Sequence, residues 1–180
     1  LVTSYSTKGE IKFYPLVISE QQNGICKRVM GPALRLEVAP TLESYAQSVA
    51  KKIAQKLNLI GTFAIEFFET DEGELLVNEL APRVHNSGHF SMDACVASQF
   101  ENHLRGILGW DLGDVTPKGA FAMVNLLGGG DKAKSSLDQL KVPEGFYFHW
   151  YHKSDPRPGR KMGHINLICS TVEELKMKMP

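Results

Sequence analysis

Two glutamates, Glu66 and Glu79, are the residues of this chain best suited to bind a hard, oxygen-seeking cation. Each lies in a short segment of β-forming residues, and the polar loop 70–73 between the segments predicts a hairpin. Side chains alternate along a strand, so both carboxylates are expected to share a face with apolar neighbours, Glu79 with Val77, where a charge needs a partner or a metal ion. Mg²⁺ binds one or two carboxylates together with nucleotide phosphates, and Asn78 would add an amide oxygen. The same spacing also fits two solvated glutamates on an exposed hairpin, so both interpretations stay open.

The loop after the second segment carries five polar side chains within seven residues, from Arg83 to His89. Arg83 offers a planar guanidinium for a carboxylate or a phosphate, and Asn86 and Ser87 can donate hydrogen bonds to an oxyanion. His85 is a candidate acid, base or neutral donor. Each histidine alone fits a structural role better than a catalytic one. The cluster favours a binding site, because a plain connection would need only a turn.

A second polar cluster lies near the end of the chain, in segment 149–161. It is the one dense basic patch in a sequence whose formal net charge is zero. Prolines and glycines brace it, and it predicts a phosphate clamp in which lysine acts as a point charge and arginine as a bidentate partner. A solvated basic loop also fits this composition. The cationic residues are Lys153, Arg157, Arg160 and Lys161.

Composition narrows the class of protein. The 180 residues are 43% hydrophobic and 22% charged, which is typical of a globular protein with one or two cores. There is no basic excess and no long apolar run, so neither nucleic acid nor a membrane is expected as a partner. Three widely spaced cysteines and a polar segment at residues 3–10 predict reduced thiols in a cytoplasmic protein.

The rest of the chain predicts antiparallel strands interleaved with helices. Apolar residues spaced by three and four predict an amphipathic helix that opens at Pro40 and runs to Leu57. Ser91 is the expected N-cap of a second helix, which then continues to Gly109. The stretch 110–118 has glycine and proline but no periodicity, and it predicts a domain boundary. The other predicted elements are a hairpin within 1–17, a strand at 25–29 after the turn Asn23-Gly24, strands at 119–127, 145–152 and 163–169, a short helix at 137–140, and a last helix opened by a capping box at 171–174.

Four motifs, taken in chain order, resemble those of one known family. They are GxxAxE at 61–66, VNELAPRxHNSGH at 77–89, SQFExHLRxxLG at 98–109 and RPGRKMGHIN at 157–166. Together they resemble N5-carboxyaminoimidazole ribonucleotide synthetase, the ATP-grasp ATPase subunit of phosphoribosylaminoimidazole carboxylase in purine biosynthesis. The resemblance covers essentially the whole chain, and the tandem occurrence is far more specific than any motif alone.

The resemblance implies an α+β fold with two parts. Residues 1–112 would form the C-terminal lobe of an ATP-grasp domain, an antiparallel sheet with helices. Residues 113–180 would form a small mixed β/α C-terminal domain on the side of the substrate phosphate. The family's N-terminal domain and its adenine-binding hinge are not in this sequence. The chain is therefore expected to be the C-terminal half of an enzyme. It is expected to be inactive without the missing N-terminal half and to belong to a homodimer.

The implied activity is that of a carbon–nitrogen ligase. With ATP and Mg²⁺, it would join bicarbonate to the exocyclic amine of 5-aminoimidazole ribonucleotide through carboxyphosphate. The implied site residues fall into metal ligands, nucleotide ligands, catalytic residues and substrate ligands. The implied metal ligands are Glu66 and Glu79, and the implied nucleotide ligands are Asn78, Glu79 and Gln21, of which Gln21 stands where many family members have histidine. The implied catalytic residues are Arg83, His85 and Asn86. The implied substrate ligands are Lys153, Arg160, Arg157 and Ser87.

Three alternative functions would share part of these residues. Another ATP-grasp carboxylase or ligase would share the two glutamates but not both later motifs. A metal-dependent hydrolase would use Glu79, His85 and His89 as ligands and would bind Zn²⁺ or Fe²⁺ tightly through imidazole. A non-catalytic module would have no reacting site.

Overall fold

The computed structural model describes residues 1–36, 38–129 and 142–179. In this part of the chain, antiparallel strands and helices alternate, as predicted. The strands are β1 (Val2–Tyr5), β2 (Ile11–Phe13), β3 (Ile18–Gln22), β4 (Ile25–Gly31), β5 (Gly61–Glu69), β6 (Leu75–Ala81), β7 (Ala120–Leu127), β8 (Phe146–Trp150) and β9 (Lys161–Cys169), and the α-helices are α1 (Pro40–Leu57), α2 (Ser91–Ala94), α3 (Gln99–Leu108) and α4 (Val172–Lys178). The predicted helix at 137–140 lies outside the described residues.

The strands form two antiparallel sheets. The first has the order β2–β1–β5–β6 and the second the order β3–β4–β7–β9–β8. The predicted turn Asn23-Gly24 joins β3 to β4, and both residues have positive φ, 52° and 73°, as a tight two-residue turn requires. The predicted division between residues 112 and 113 stays a prediction, and the second sheet takes strands from both sides of it.

Helix α1 packs on one face of the first sheet and has the predicted bounds. It begins at Pro40, whose missing N–H costs nothing in a first turn, and it is followed by Asn58 in the left-handed conformation, with φ of 49°. Its buried stripe consists of Ala46, Ala50 and Ala54, spaced by four. These small side chains let the helix lie close to the apolar residues of β5.

A second core cluster joins the two sheets. Val2 and Ala64 contribute from the first sheet, and Phe121 of β7 contributes from the second. Phe90 directly follows the polar loop 83–89 and stacks on Phe121, with ring centroids 4.2 Å apart. The polar loop is therefore anchored between the two sheets at its C-terminal end.

The structure corrects the prediction of one uninterrupted helix from Ser91 to Gly109. The chain leaves helical geometry after Ala94, and Cys95 is extended, with φ of −113° and ψ of 167°. Cys95 pairs there with Pro117 in an isolated antiparallel bridge. Backbone groups of this stretch thus bond to the segment around Pro117 instead of continuing the helix.

The predicted N-cap at Ser91 is also wrong, because Phe90 occupies the N-cap position of α2. Ser91 lies within α2, and its hydroxyl donates to the carbonyl of Gly88 at 2.6 Å. The cap of the longer helix is Ser98, whose Oγ accepts the N–H of Glu101 at 3.1 Å. Ser98 and Glu101 have the S-x-x-E spacing of a capping box, so the sequence did carry a signal for this start.

Helix α4 confirms its predicted start. Thr171 Oγ1 accepts the N–H of Glu174 at 3.1 Å, and the helix packs on the second sheet through Val172 and Leu175. In the described parts of the chain, no helix combines the length and the apolar character needed to cross a membrane.

Candidate active site

A β-bulge between β5 and β6 builds an acidic surface. Glu66 lies directly opposite Glu79, but the next pair along is Phe67 with Val77, so Asn78 is an extra residue on β6. Asn78 and Glu79 together oppose Glu66, as the two residues of a bulge oppose one. The Nδ2 atom of Asn78 lies 3.5 Å from Oε2 of Glu66. The bulge therefore gathers two carboxylates and one amide at the same place.

The bulge also corrects the predicted alternation along β6. Val77 pairs with Phe67, which is adjacent to Glu66 on β5 and so points to the opposite face. Val77 therefore lies on the face opposite to Glu79, and the prediction that they share a face is wrong. The reason is the extra residue, which shifts the alternation by one position.

The bulge residues line a cleft of about 570 Å³. Two further predicted site residues, Gln21 and Ser87, line the same cleft. The side chain of Glu66 is 27% exposed and Glu79 is exposed, so a ligand in the cleft can reach both carboxylates. The apolar part of the wall includes Leu16, Val17, Ile18, Ile65, Phe67 and Leu75.

His85 faces this acidic surface as a neutral donor. Its Nδ1 accepts the backbone N–H of Ser87 at 3.3 Å and lies 2.8 Å from the hydroxyl oxygen of Ser87. An accepting Nδ1 leaves the imidazole proton on Nε2, which lies 3.9 Å from Oε1 of Glu66. Burial lowers the pKa of His85 below its ordinary value, and this outweighs the opposite effect of Glu66. His85 can thus donate a hydrogen bond near the carboxylates without carrying a charge.

Arg83 lies at the edge of the same loop. It is exposed, and its Nη1 donates to the carbonyl of Val84 at 3.0 Å. It does not line the cleft. Its charge nevertheless acts at the site, because after burial and the opposing effect of Glu66 it is among the groups that lower the pKa of His85.

Gln99, which was not predicted as a site residue, holds the backbone of the loop. It is fully buried at the start of α3; its Oε1 accepts the N–H of His85 at 3.0 Å, and its Nε2 donates to the carbonyl of His85 at 2.7 Å. The same Nε2 lies 2.9 Å from Nδ1 of His89. Gly88 makes room for this side chain, since a Cβ there would lie 2.6 Å from Oε1 of Gln99. The SQF motif marks the glutamine, but its spacing does not reveal its partner.

Asn86 connects the loop to the second sheet. Its amide forms two hydrogen bonds with the amide of Asn125 on β7 and accepts one from the ammonium group of Lys161 on β9. Asn125 carried no signal in the sequence, because it lies in an apolar strand outside the motifs. Lys161 was noted as part of the basic patch but was not among the predicted site residues.

The structure separates the predicted phosphate ligands into two groups. Lys153 donates to the carbonyl of Lys161 at 2.7 Å and therefore lies beside the network that holds the loop. Arg160 donates instead to Asp155, at 3.0 Å to the carbonyl and 3.1 Å to the carboxylate. The Nε atom of Arg157 lies 3.7 Å from the same carboxylate. The two arginines are thus paired within their own loop and not brought to the cleft.

Three histidines pack together next to the loop. The ring of His164 stacks on that of His149, with centroids 4.5 Å apart, and lies 5.1 Å from that of His89. Burial lowers the pKa of His89 to about 4 and that of His164 to about 3, with further lowering from neighbouring imidazoles. His149 Nε2 lies 2.8 Å from the carboxylate of Asp93. His89 and His164 are therefore neutral at neutral pH.

This arrangement argues against the metal-hydrolase alternative. Within residues 1–36, 38–129 and 142–179, no three His, Cys, Asp or Glu side chains converge as a metal centre of that kind requires. Glu79, His85 and His89 are consequently not a three-ligand set, and Nδ1 of His89 is already engaged by Gln99.

The fold and the acidic bulge define a member of a known class. The protein-family model of the ATP-grasp domain matches residues 1–100 of the sequence. The family model of the phosphoribosylaminoimidazole carboxylase C-terminal domain matches residues 122–178. The chain belongs to the ATP-grasp family, and the predicted fold class is confirmed.

Curated relatives narrow this class to the predicted branch. The chain is 41% identical to N5-carboxyaminoimidazole ribonucleotide synthase of Synechocystis, over 93% of this chain and 46% of the relative. It is 40% identical to the enzyme of that name from Vibrio cholerae, over 99% of this chain and 45% of the relative. The predicted resemblance is confirmed, and the chain spans about half the length of these relatives.

Solved structures of enzymes with this name have the same fold as the chain. The synthetase of Thermus thermophilus superposes with a TM-score of 0.86 at 41% identity, covering 98% of this chain and 47% of that one. The synthase of Aspergillus clavatus, in complex with ADP and 5-aminoimidazole ribonucleotide, has a TM-score of 0.88 at 33% identity and covers 98% of this chain and 48% of that one.

Proposed function

We propose that this chain supplies the C-terminal half of an N5-carboxyaminoimidazole ribonucleotide synthase. In the proposed reaction, bicarbonate attacks the γ-phosphorus of ATP, ADP leaves, and carboxyphosphate forms. The exocyclic amine of 5-aminoimidazole ribonucleotide then attacks the carboxyl carbon, loses a proton and displaces phosphate. The relatives of that name and the Aspergillus clavatus complex with ADP and 5-aminoimidazole ribonucleotide support this assignment.

The observation that carries the proposal is the bulge that unites Glu66, Asn78 and Glu79. Two carboxylates and an amide oxygen are a donor set that suits Mg²⁺, which takes few protein ligands and leaves positions for phosphate oxygens. In this proposal Glu66 and Glu79 hold the metal, and Asn78 and Gln21 contact the nucleotide. Bound there, Mg²⁺ would neutralise charge on the phosphoryl group that is transferred.

The loop beside the cleft supplies the acceptor side of the proposed reaction. His85, as a neutral donor, and Asn86, as an amide donor, would hold bicarbonate and then carboxyphosphate, with Arg83 adding positive charge. The dipoles of these donors are already held in place by the surrounding hydrogen bonds, so little reorganisation is needed as negative charge develops.

The ribonucleotide phosphate would be bound by the basic segment and the loop. Lys153 is the best placed of these ligands, because its ammonium already lies beside the loop network. Arg160 and Arg157 would have to exchange Asp155 for the phosphate, and Ser87 would contribute from the cleft wall. Arg160→Ala should mainly weaken substrate binding.

The proposal includes two macromolecular partners. In this proposal the surface that carries Glu66 and Glu79 forms one wall of a nucleotide site. The N-terminal half of a full-length synthase would supply the opposite wall. The complete enzyme would assemble as a homodimer.

A fusion protein tests the proposed function. The portion of the Vibrio cholerae synthase that precedes the matched region is joined in frame to Leu1, and ADP release is followed with bicarbonate and 5-aminoimidazole ribonucleotide. We expect turnover that requires both substrates, and Glu79→Gln should abolish it. Glu72→Gln, an exposed change in the loop of the same hairpin, is the matched control and should leave turnover intact.

A folded fusion that binds ATP but releases ADP at a rate indifferent to the ribonucleotide would overturn the proposed substrate. Equal turnover of the Glu79→Gln and Glu72→Gln variants would overturn the assignment of the acidic bulge.

A further inference from the structure

The amides of Asn86 and Asn125 form a closed pair. Asn86 Nδ2 donates to Asn125 Oδ1 at 2.8 Å, and Asn125 Nδ2 donates to Asn86 Oδ1 at 2.8 Å. Asn125 is only 5% exposed, whereas Asn86 is half-buried at the start of the 3₁₀ turn Asn86–Gly88. Two parallel hydrogen bonds make the amide planes interdependent, so the orientation of the buried residue sets that of the loop residue.

Neighbouring groups establish which atom of each amide is oxygen. The ammonium group of Lys161 lies 2.9 Å from Asn86 Oδ1 and can only donate, so that atom must be an acceptor. The second N–H of Asn125 donates to the carbonyl of Cys26 on β4 at 2.9 Å. Rotating the amide of Asn125 by half a turn would set two oxygens against each other, which disfavours the flipped form.

The remaining capacity of Asn86 is therefore one N–H. Its carbonyl oxygen accepts from Asn125 and Lys161, and one Nδ2 hydrogen is used by Asn125. Within the described residues the second Nδ2 hydrogen has no partner. That group can bind an oxyanion, whereas the flipped amide would present an oxygen that repels one.

We propose that Asn125 is a positioning residue that fixes the amide of Asn86 with its free N–H directed to the anionic reactant. This inference rests on the proposed function, because it takes Asn86 as a ligand of bicarbonate or carboxyphosphate. It extends that function by assigning a role to a buried residue of β7 that was not among the predicted site residues. Lys161 contributes to the same orientation, because its ammonium group binds the Asn86 oxygen and so keeps that oxygen away from the reactant.

The test compares two buried asparagines, each changed to alanine. Asn125→Ala removes the proposed positioning group, and Asn102→Ala removes an equally buried amide that bonds to Tyr14 and Gly113 instead. In the fusion protein we expect Asn125→Ala to raise KM for bicarbonate about tenfold, the loss of one hydrogen bond to a charged group, with KM for ATP within about twofold. Asn102→Ala should lower stability without this split.

Asn125→Asp is a second variant that preserves shape and one of the two bonds. It still accepts from Asn86 Nδ2 but no longer donates to Asn86 or to Cys26, so it too should raise KM for bicarbonate. If either folded Asn125 variant keeps KM for bicarbonate within about twofold of the parent, the inference is overturned.

A spectroscopic arm separates this inference from the proposed function. In the 180-residue chain, the side-chain N–H signals of Asn86 should be unequal in the parent, with one proton protected from solvent exchange by Asn125. Both should exchange freely in Asn125→Ala and remain unequal in Asn102→Ala. An unprotected Asn86 amide in the parent would overturn the inference even if the fusion protein is active. An inactive parent fusion would count against the proposed function, while the exchange data would still decide whether Asn125 holds Asn86.

Discussion

The side-chain amide of Gln99 closes a ring with the backbone of His85, accepting its N–H at 3.0 Å and donating to its carbonyl at 2.7 Å. It satisfies both backbone groups as a neighbouring strand would. Because Gln99 is fully buried on α3, the position of His85 is set by that helix as well as by the loop itself.

Gln99→Ala should therefore destabilise the chain strongly. It leaves the partly buried N–H of His85 without its partner and removes one of the two donors to the His85 carbonyl, which still accepts the N–H of Gly88. We expect the free energy of unfolding to fall by about 1–3 kcal/mol. Urea denaturation measures this loss. Gln55→Ala, an exposed change on α1, is the control and should stay within about 0.5 kcal/mol. Equal effects of the two changes would show that the ring does not stabilise the fold.

Gly88→Ala should be destabilising through the same side chain. A Cβ at this position would lie 2.6 Å from Oε1 of Gln99 and 2.9 Å from Cγ2 of Val2. We expect a loss of about 1–3 kcal/mol from this overpacking, measured by thermal unfolding. Gly129→Ala, where a Cβ meets nothing within 4 Å, should be nearly neutral. The cost of Gly88→Ala should shrink in a Gln99→Ala background, and additive effects would contradict the proposed clash.

Stability should fall on mild acidification because of the buried histidines. The folded-state pKa values of His89 and His164, about 4 and about 3, lie below the ordinary value of 6.5. Between pH 6.5 and 5 the unfolded chain therefore binds protons that the folded chain does not. The free energy of unfolding should fall by up to about 1.4 kcal/mol per pH unit for each histidine as the pH is lowered. The stability that they contribute is complete above pH 6.5 and is lost as the pH falls.

Urea denaturation at pH 7, 6 and 5 measures this dependence. His164→Asn removes one of the groups whose pKa is lowered by folding and should therefore reduce the slope of stability against pH in this range. The same slope in parent and variant would exclude His164 as a contributor.

Glu79→Gln should stabilise the metal-free chain although it should abolish turnover of the fusion protein. Glu66 and Glu79 are direct cross-strand neighbours, and like charges so placed repel. Removing one charge should raise the free energy of unfolding by about 0.2–1 kcal/mol, and the gain should shrink as salt is added. Thermal unfolding at low and high salt measures it, with Glu72→Gln as the control. No gain at low salt would mean that the carboxylates do not interact.

The 180-residue chain alone should show no appreciable ADP release in a coupled assay. It contributes one wall of the proposed nucleotide site, and the charge on the transferred phosphoryl group needs stabilisation from both sides. Turnover by the chain alone at a rate near that of the fusion protein would contradict the need for an N-terminal half.

Local signals determined much of the fold from the sequence alone. The apolar spacing of α1, the Asn23-Gly24 turn and the hairpin with Glu66 and Glu79 all follow from side-chain periodicity or from backbone conformations that few residues tolerate. These signals act over a few residues, so they can be read without the fold. The order of the four motifs likewise identified the family, whereas the roles of the individual site residues stay predictions.

Tertiary contacts decided what the periodicity could not express. The extra residue Asn78 inverts the alternation of β6, and the pairing of Cys95 with Pro117 interrupts an apolar pattern that otherwise fits a single helix. Both depend on which backbone groups find partners elsewhere in the chain.

The residues that hold the candidate site in place were the hardest to predict from the sequence. Gln99 lies 14 positions from His85, and Asn125 lies 39 positions from Asn86. A hydrogen bond over such a separation leaves no local pattern, because only the packing of α3 and β7 against the loop brings the two partners together. The sequence alone therefore determined which candidate site residues are present, and the tertiary structure decided how their side chains are oriented and held.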